Sequence, residues 1–261
     1  MNTILVSSHR RSGTHFLIDS LRKNIDSAEF PNHYSLPADF NIGSLFSKQE
    51  KVYTVFKKLI DSPTPVIIKS HLLPEECNIQ TPRDKYEVLI KEIFDNSRKL
   101  YIYREGKPVL ISLYKFLKPA CSFSEFIREE NDHIVKEIRT QQDFDANRVR
   151  YWSHHIRQWL QEASVKQVSF SDLLTRFPET MADVLNFLGF DLPPSLEKPG
   201  IPSNLFLHGI QKKLYSLGLG PLPENSSVRP NQVSKAPSTQ YFTDLKDEAY
   251  YQTQKGELHI D

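Results

Sequence analysis

Four short apolar runs constrain this chain more than any other feature. They are Thr3-Ile4-Leu5-Val6, Val66-Ile67-Ile68-Lys69, Lys99-Leu100-Tyr101-Ile102-Tyr103 and Val165 to Phe170. Each reads as a buried strand, rich in β-branched or aromatic residues. Stripes of helical period lie between them. Phe16, Leu17, Ser20 and Leu21 share one face of 14–23, and Tyr86, Leu89, Ile90, Ile93 and Phe94 share one face of 84–96. Residues 106–117 read as a helix beginning near Pro108, a residue suited to a first turn. Val149, Trp152, Ile156, Trp159, Leu160 and Ala163 mark an amphipathic helix over 147–163. Leu174, Phe177, Met181, Leu185 and Leu188 mark one over 173–188, closed by Gly189. Strands alternating with helices predict an α/β fold, with a central, mostly parallel sheet flanked by helices in three layers.

The rest of the chain is less regular. Residues 30–50, with Pro31, Pro37 and Gly43, read as a loop-rich excursion, and 123–139 as a polar helix. From Pro193 prolines dominate, so 193–242 is expected to be loop-rich, with short helices near 203–217 and 243–254. A length of 261 residues fits one domain spanning 1–261. Lys plus Arg number 33 against 32 Asp plus Glu, a net charge of +1. That balance argues against a general nucleic-acid binder but leaves room for a local anion site. Cys77 and Cys121 are too few for a disulfide framework and fit a reducing compartment. No run approaches the ~18 apolar residues of a membrane span. The first apolar run is followed, not preceded, by Arg10 and Arg11, unlike a secretory leader. The expectation is a cytoplasmic protein with no membrane partner.

The segment His9-Arg10-Arg11-Ser12-Gly13-Thr14-His15 joins the first strand to the first helix. Such a junction aims several backbone N–H groups at one point, on the positive end of a helix dipole. Gly13 permits close approach, Ser12 and Thr14 add hydroxyls, and Arg11 adds a fixed charge. Phosphate is the expected guest, and the fold is P-loop-like in that sense; a plain N-cap is the simpler alternative. The loop lacks the Lys-Ser/Thr pair that serves γ-phosphate and magnesium, and it lacks Gly-x-Gly-x-x-Gly.

Arg10 to Leu17 resembles the 5′-phosphosulfate loop of sulfotransferases that use 3′-phosphoadenosine 5′-phosphosulfate (PAPS). Ile68-Lys69-Ser70-His71-Leu72-Leu73-Pro74 resembles that family's strand-end Lys-Thr/Ser-His-Leu-Pro, whose histidine is the base. Arg104 at a strand end, with Ser112 eight residues on, resembles its 3′-phosphate motif. Val168 to Leu174 is similar to its Tyr-Glu-Asp-Leu strand end, and Phe187-Leu188-Gly189 to the close of the helix that follows. The resemblance spans about 3–190 and, weakly, the tail to Thr243. There are departures: Arg11 stands for a usual Lys, His15 for Thr, Phe16 for Trp and Phe170 for an adenine-neighbouring Tyr. The late Arg-Lys-Gly is not visible, with Arg229 and Lys235 the nearby basic residues. The dimerisation signature is not evident near 239–248, so the oligomeric state is open.

The resemblance implies a sulfotransferase with PAPS as donor and a small-molecule hydroxyl or amine as acceptor. It implies His71 as general base, Arg11 on the leaving phosphate oxygen and Lys69 on sulfonate oxygens. It places Arg10, Arg11, Ser12, Gly13, Thr14, His15, Phe16, Arg104, Ser112, Phe170 and Arg229 around the donor. The acceptor is expected over the strand ends, walled by 31–47, 121–143 and 203–240. A small-molecule kinase of related fold and a non-catalytic nucleotide-binding module are the rival readings. Trp152, Ile156 and Trp159 read as helix core, His154 and His155 as solvent-facing or interhelical, and Asp143 and Asp145 as solvated. No Cys/His cluster has zinc spacing, so no metal is expected.

Overall fold

The computed structural model describes residues 3–25, 40–129, 147–200, 204–216, 219–220 and 241–258. Four parallel strands form the sheet: β1 (Thr3–Ser7), β2 (Val66–Ser70), β3 (Arg98–Tyr103) and β4 (Val165–Ser169), in the order β2-β1-β3-β4. β1 is central and buried throughout. Ser7 registers with Ser70 on one side and Tyr101 on the other. β4 is an edge strand with a half-buried, partly exposed pattern. Apolar residues on both faces of β1 to β3 require helices on both faces, which is the predicted layering.

The helices are α1 (Thr14–Asn24), α2 (Glu50–Ile60), α3 (Pro74–Cys77), α4 (Lys85–Asn96), α5 (Gly106–Leu117), α6 (Phe123–Arg128), α7 (Arg148–Gln161), α8 (Phe170–Thr175), α9 (Phe177–Leu188), α10 (Leu205–Ser216) and α11 (Leu245–Lys255). Ile42–Ser47 forms a 3-10 turn. The order reverses across β1: β2 lies on one side, β3 and β4 on the other. In open parallel sheets a ligand crevice forms at that switch point, outside the carboxyl ends of the strands. The 8–13 loop after β1 and Arg104 after β3 both stand there.

Some elements depart from expectation. α2 is a full helix where none was predicted, burying Val52, Val55, Phe56, Leu59 and Ile60. The single helix predicted over 173–188 is two, α8 and α9, interrupted at Arg176 with φ −124° and ψ 51°. Pro178 explains the break, because its ring would strike the Leu174 carbonyl in a continuous helix. Gly189 closes α9 in the left-handed region, as predicted. α6 is short and buries Phe123, Phe126 and Ile127, so this part of 123–139 is not polar. The remainder of that prediction, residues 30–39, 221–240, Asp143 and Asp145 lie outside the described residues. Cys77 and Cys121 are free thiols. Among the described residues, no helix is long and apolar enough to cross a membrane.

Candidate active site

The loop after β1 turns tightly. Ser12 N–H donates to the His9 carbonyl at 3.3 Å, and α1 starts with Leu17 N–H on the Gly13 carbonyl at 3.1 Å. Arg11 and Gly13 both take left-handed backbone, at φ 70° and 102°. At Gly13 a side chain is excluded outright, because a Cβ would lie 2.2 Å from Phe170 Cδ2. Gly13 caps α1 with no side-chain hydrogen bond. Thr14 Oγ1 pairs with Ser8 Oγ at 2.5 Å. Ser12 Oγ is buried and has no hydrogen-bond partner among the described residues. An anionic oxygen seated on the α1 N-terminus would meet both Ser12 and the open N–H groups.

On the β2 flank, half-buried His71 follows the strand. Its Nδ1 lies 2.8 Å from the Ser8 carbonyl and 3.4 Å from Ser8 Oγ. A carbonyl only accepts, so the proton is on Nδ1 and the lone pair is on Nε2. Burial holds the His71 pKa well below the usual imidazole range; Lys69, Arg10 and His15 push the same way, against the Ser8 hydrogen bond. His71 is therefore a neutral imidazole at pH 7. The buried Lys69 Nζ lies 3.3 Å from His15 Nε2 and donates to it. His9 is buried beside the loop, donates from Nδ1 to the Arg10 carbonyl at 2.9 Å, and is lowered to about 4, chiefly by burial.

The β3 flank is built from guanidinium groups. Arg11 Nε donates to Ser112 Oγ of α5 at 3.1 Å, with its Cζ 4.8 Å above the Phe116 ring. Arg104 Cζ lies 4.7 Å above the Phe170 ring. Burial lowers the Arg104 pKa first and the Arg11 charge second, with Glu105 opposing. Among the described residues no carboxylate forms an ion pair with Arg104. Two neighbouring arginines, one of them on the Ser112 hydroxyl, suit a doubly charged anion.

Residues 1–200 match the sulfotransferase domain family. This chain belongs to that family. Sulfotransferase 1A1 of Canis lupus familiaris is 22% identical over 196 residues, 73% of this chain; the match spans 60% of the dog protein's length. Flavonol 3-sulfotransferase of Flaveria bidentis is 22% identical over 260 residues, 94% of this chain and 74% of that one. Among solved structures, a mouse sulfotransferase complexed with PAP superposes with a TM-score of 0.58 at 15% identity, covering 97% of this chain and 82% of that chain. Retinol dehydratase in a complex with retinol and PAP gives 0.56 at 14% identity, covering 100% and 83%. At these identities the structural likeness speaks to the fold.

Within this sulfotransferase domain, the residues singled out in the sequence fall into two groups on either side of the loop. His71, Lys69, His15 and Arg10 interact on the β2 side. Arg11, Arg104 and Ser112 meet on the β3 side, with Ser12, Gly13 and Thr14 between the groups. Arg11 was expected at the leaving oxygen; its guanidinium is on Ser112. Phe16 and Phe170 meet edge to face at 6.3 Å, and Phe170 takes Arg104 on its ring. Arg229 and Lys235 lie outside the described residues. Two contributors were not expected at the site. Ser8 acts through its carbonyl, which no side-chain pattern reveals. His155, expected at a solvent-facing or interhelical position, is fully buried against Tyr101 of the sheet. Its signal was its place three residues after Trp152 and four before Trp159, inside the apolar stripe.

Proposed function

We propose that this sulfotransferase-family member moves a sulfuryl group from PAPS to a hydroxyl or amine of a small molecule, with His71 as general base. The observation that carries this reading is the His71 tautomer: Nδ1–H is spent on the Ser8 carbonyl, so Nε2 is the nitrogen that accepts the acceptor's proton. The cradle beside it suits the donor. PAPS supplies a sulfuryl group on its 5′-phosphate; Ser12, Thr14, Arg10 and the loop N–H groups would hold that end, as the open Ser12 hydroxyl supports. Arg104, Ser112 and Arg11 would grip the 3′-phosphate, with Phe16 and Phe170 beside the base. Lys69 then supplies a cation beside His71, placed to meet charge on the transferred group. That PAP is named in both structural neighbours agrees with this choice of nucleotide.

The test is transfer of labelled sulfuryl from PAPS to a panel of phenols, alcohols and amines. Label should move without added metal, and 3′,5′-adenosine bisphosphate should inhibit. Phosphorylation of the same panel from ATP and magnesium, with no sulfation, would replace this reading by the kinase one.

A further inference from the structure

Helix α7 braces both flanks of the site from behind. Three of its side chains, spaced i, i+3 and i+7, reach the turns that carry the functional groups. Trp152 Nε1–H donates to the Arg104 carbonyl at 3.3 Å, and Trp159 Nε1–H to the Leu72 carbonyl at 2.9 Å. Between them His155 Nε2 lies 3.3 Å from the His71 carbonyl. Because that carbonyl can only accept, His155 carries its proton on Nε2. Burial, with His9 and His154 nearby, keeps the ring neutral, so Nδ1 is an acceptor. The Tyr101 hydroxyl donates to it at 2.9 Å. Tyr101 is buried in β3 and stacks on Trp159, with ring centroids 5.4 Å apart and planes 6° from parallel.

The two ends of His71 are therefore held by different partners. Ser8 fixes the ring and His155 fixes the backbone carbonyl. A rotation of the His71 peptide would carry the ring off Ser8, and nothing would then select which nitrogen bears the proton. An apolar residue at 155 would fill the same space yet leave the His71 carbonyl and the Tyr101 hydroxyl dry and unpaired. We propose that His155 is a positioning residue: acting through the His71 carbonyl, and itself oriented by Tyr101, it holds His71 in the tautomer whose Nε2 accepts the proton. The kinetic part of this proposal rests on the sulfuryl-transfer reading; the tautomer part does not.

The experiment uses the full chain, labelled with ¹⁵N, in three variants: His155→Phe, His155→Gln and Tyr101→Phe. In the unmodified protein the His71 ring should show a protonated Nδ1 and an unprotonated Nε2. His155→Phe should give a mixture of tautomers and lower kcat roughly ten- to a hundredfold, while KM for PAPS moves less than about twofold. His155→Gln, whose amide both donates and accepts, should restore the single tautomer and most of the rate. Tyr101→Phe keeps the ring stack and loses one hydroxyl; it should show partial mixing and a several-fold lower kcat. A single Nδ1–H tautomer with unchanged kcat in His155→Phe overturns the proposal. Should that variant not fold, the same result in Tyr101→Phe overturns it. A failure of Gln to rescue also overturns it, since bulk alone would then be what position 155 supplies. If the unmodified protein transfers no sulfuryl group, the functional reading falls, and the His71 resonances still decide the role of His155.

Discussion

The two flanks of the phosphate loop are charged alike and built differently. The β2 flank gathers His71, Lys69, His15 and Arg10, with His71 kept neutral by burial and by the cations around it. The β3 flank gathers Arg11 and Arg104, which stay charged at any pH a protein meets, each lying over a phenyl ring. A group that must take up a proton is of use only if it is uncharged beforehand. A group that must hold a phosphate is of use only if its charge is permanent. On the proposed reading one crevice meets both demands, because the strand order reverses at β1 and brings the ends of β2 and β3 to opposite sides of one loop.

The separation is broken most severely at His71. His71→Ala should lower kcat by ~10²–10⁴-fold, the usual range for a positioned base, while 3′,5′-adenosine bisphosphate still binds within a few-fold. Calorimetric titration beside steady-state rates checks both halves. Equal losses in binding and turnover would mean that the flanks are one site. The mirror experiment is Arg104→Ala. A charge-assisted contact to phosphate contributes about 1.5–3 kcal/mol, so affinity for the bisphosphate should fall roughly 10–100-fold. Affinity for 5′-adenosine monophosphate, which lacks the 3′-phosphate, should barely change. A parallel fall for both nucleotides would remove Arg104 from the 3′-phosphate.

Acid should separate the flanks without mutation. His9, which faces Tyr151, His155 and the Arg10 backbone, has its folded pKa lowered to about 4. The unfolded chain therefore binds more protons between about pH 6.5 and 4, and stability present above that window is lost as pH falls through it. From His9 alone the loss at pH 5 is about 2 kcal/mol, and His71 and His155 shift in the same direction. Urea melts at pH 7.5 and 5 measure it. His9→Gln should flatten the dependence. An unchanged slope would show that His9 is not desolvated in the folded chain.

How far the sequence foretold this differs between the flanks. Strands, the loop and the order Lys69-His71 then Arg104-Ser112 were legible because they depend on local pattern and fixed spacing. α2 carried no expectation, although Val52, Val55, Phe56, Leu59 and Ile60 keep helical period. The split at Pro178 was written in one residue. What local pattern could not supply was partnership over distance. That Arg11 turns to Ser112 follows from its left-handed backbone, and that His155 reaches His71 follows from how α7 lies against β3. Both contacts join residues more than 80 positions apart.

Ser112→Ala asks the finest question of the comparison. The hydroxyl accepts from Arg11 Nε and has its own proton to offer an anion. Removing it takes away a hydroxyl contact to charged groups, at the low end of such bonds, about 1.5 kcal/mol, so bisphosphate affinity should weaken roughly tenfold. Arg11 should also lose one of the contacts that set its register against α5. If Arg11 serves the 3′-phosphate, Ser112→Ala and Arg11→Ala are coupled: the double variant binds more tightly than the sum of the single losses predicts. If Arg11 instead swings to the leaving oxygen during transfer, the two losses add in binding, and Arg11→Ala alone lowers kcat. The double-mutant cycle, read in both binding and rate, therefore assigns Arg11 to one flank or the other.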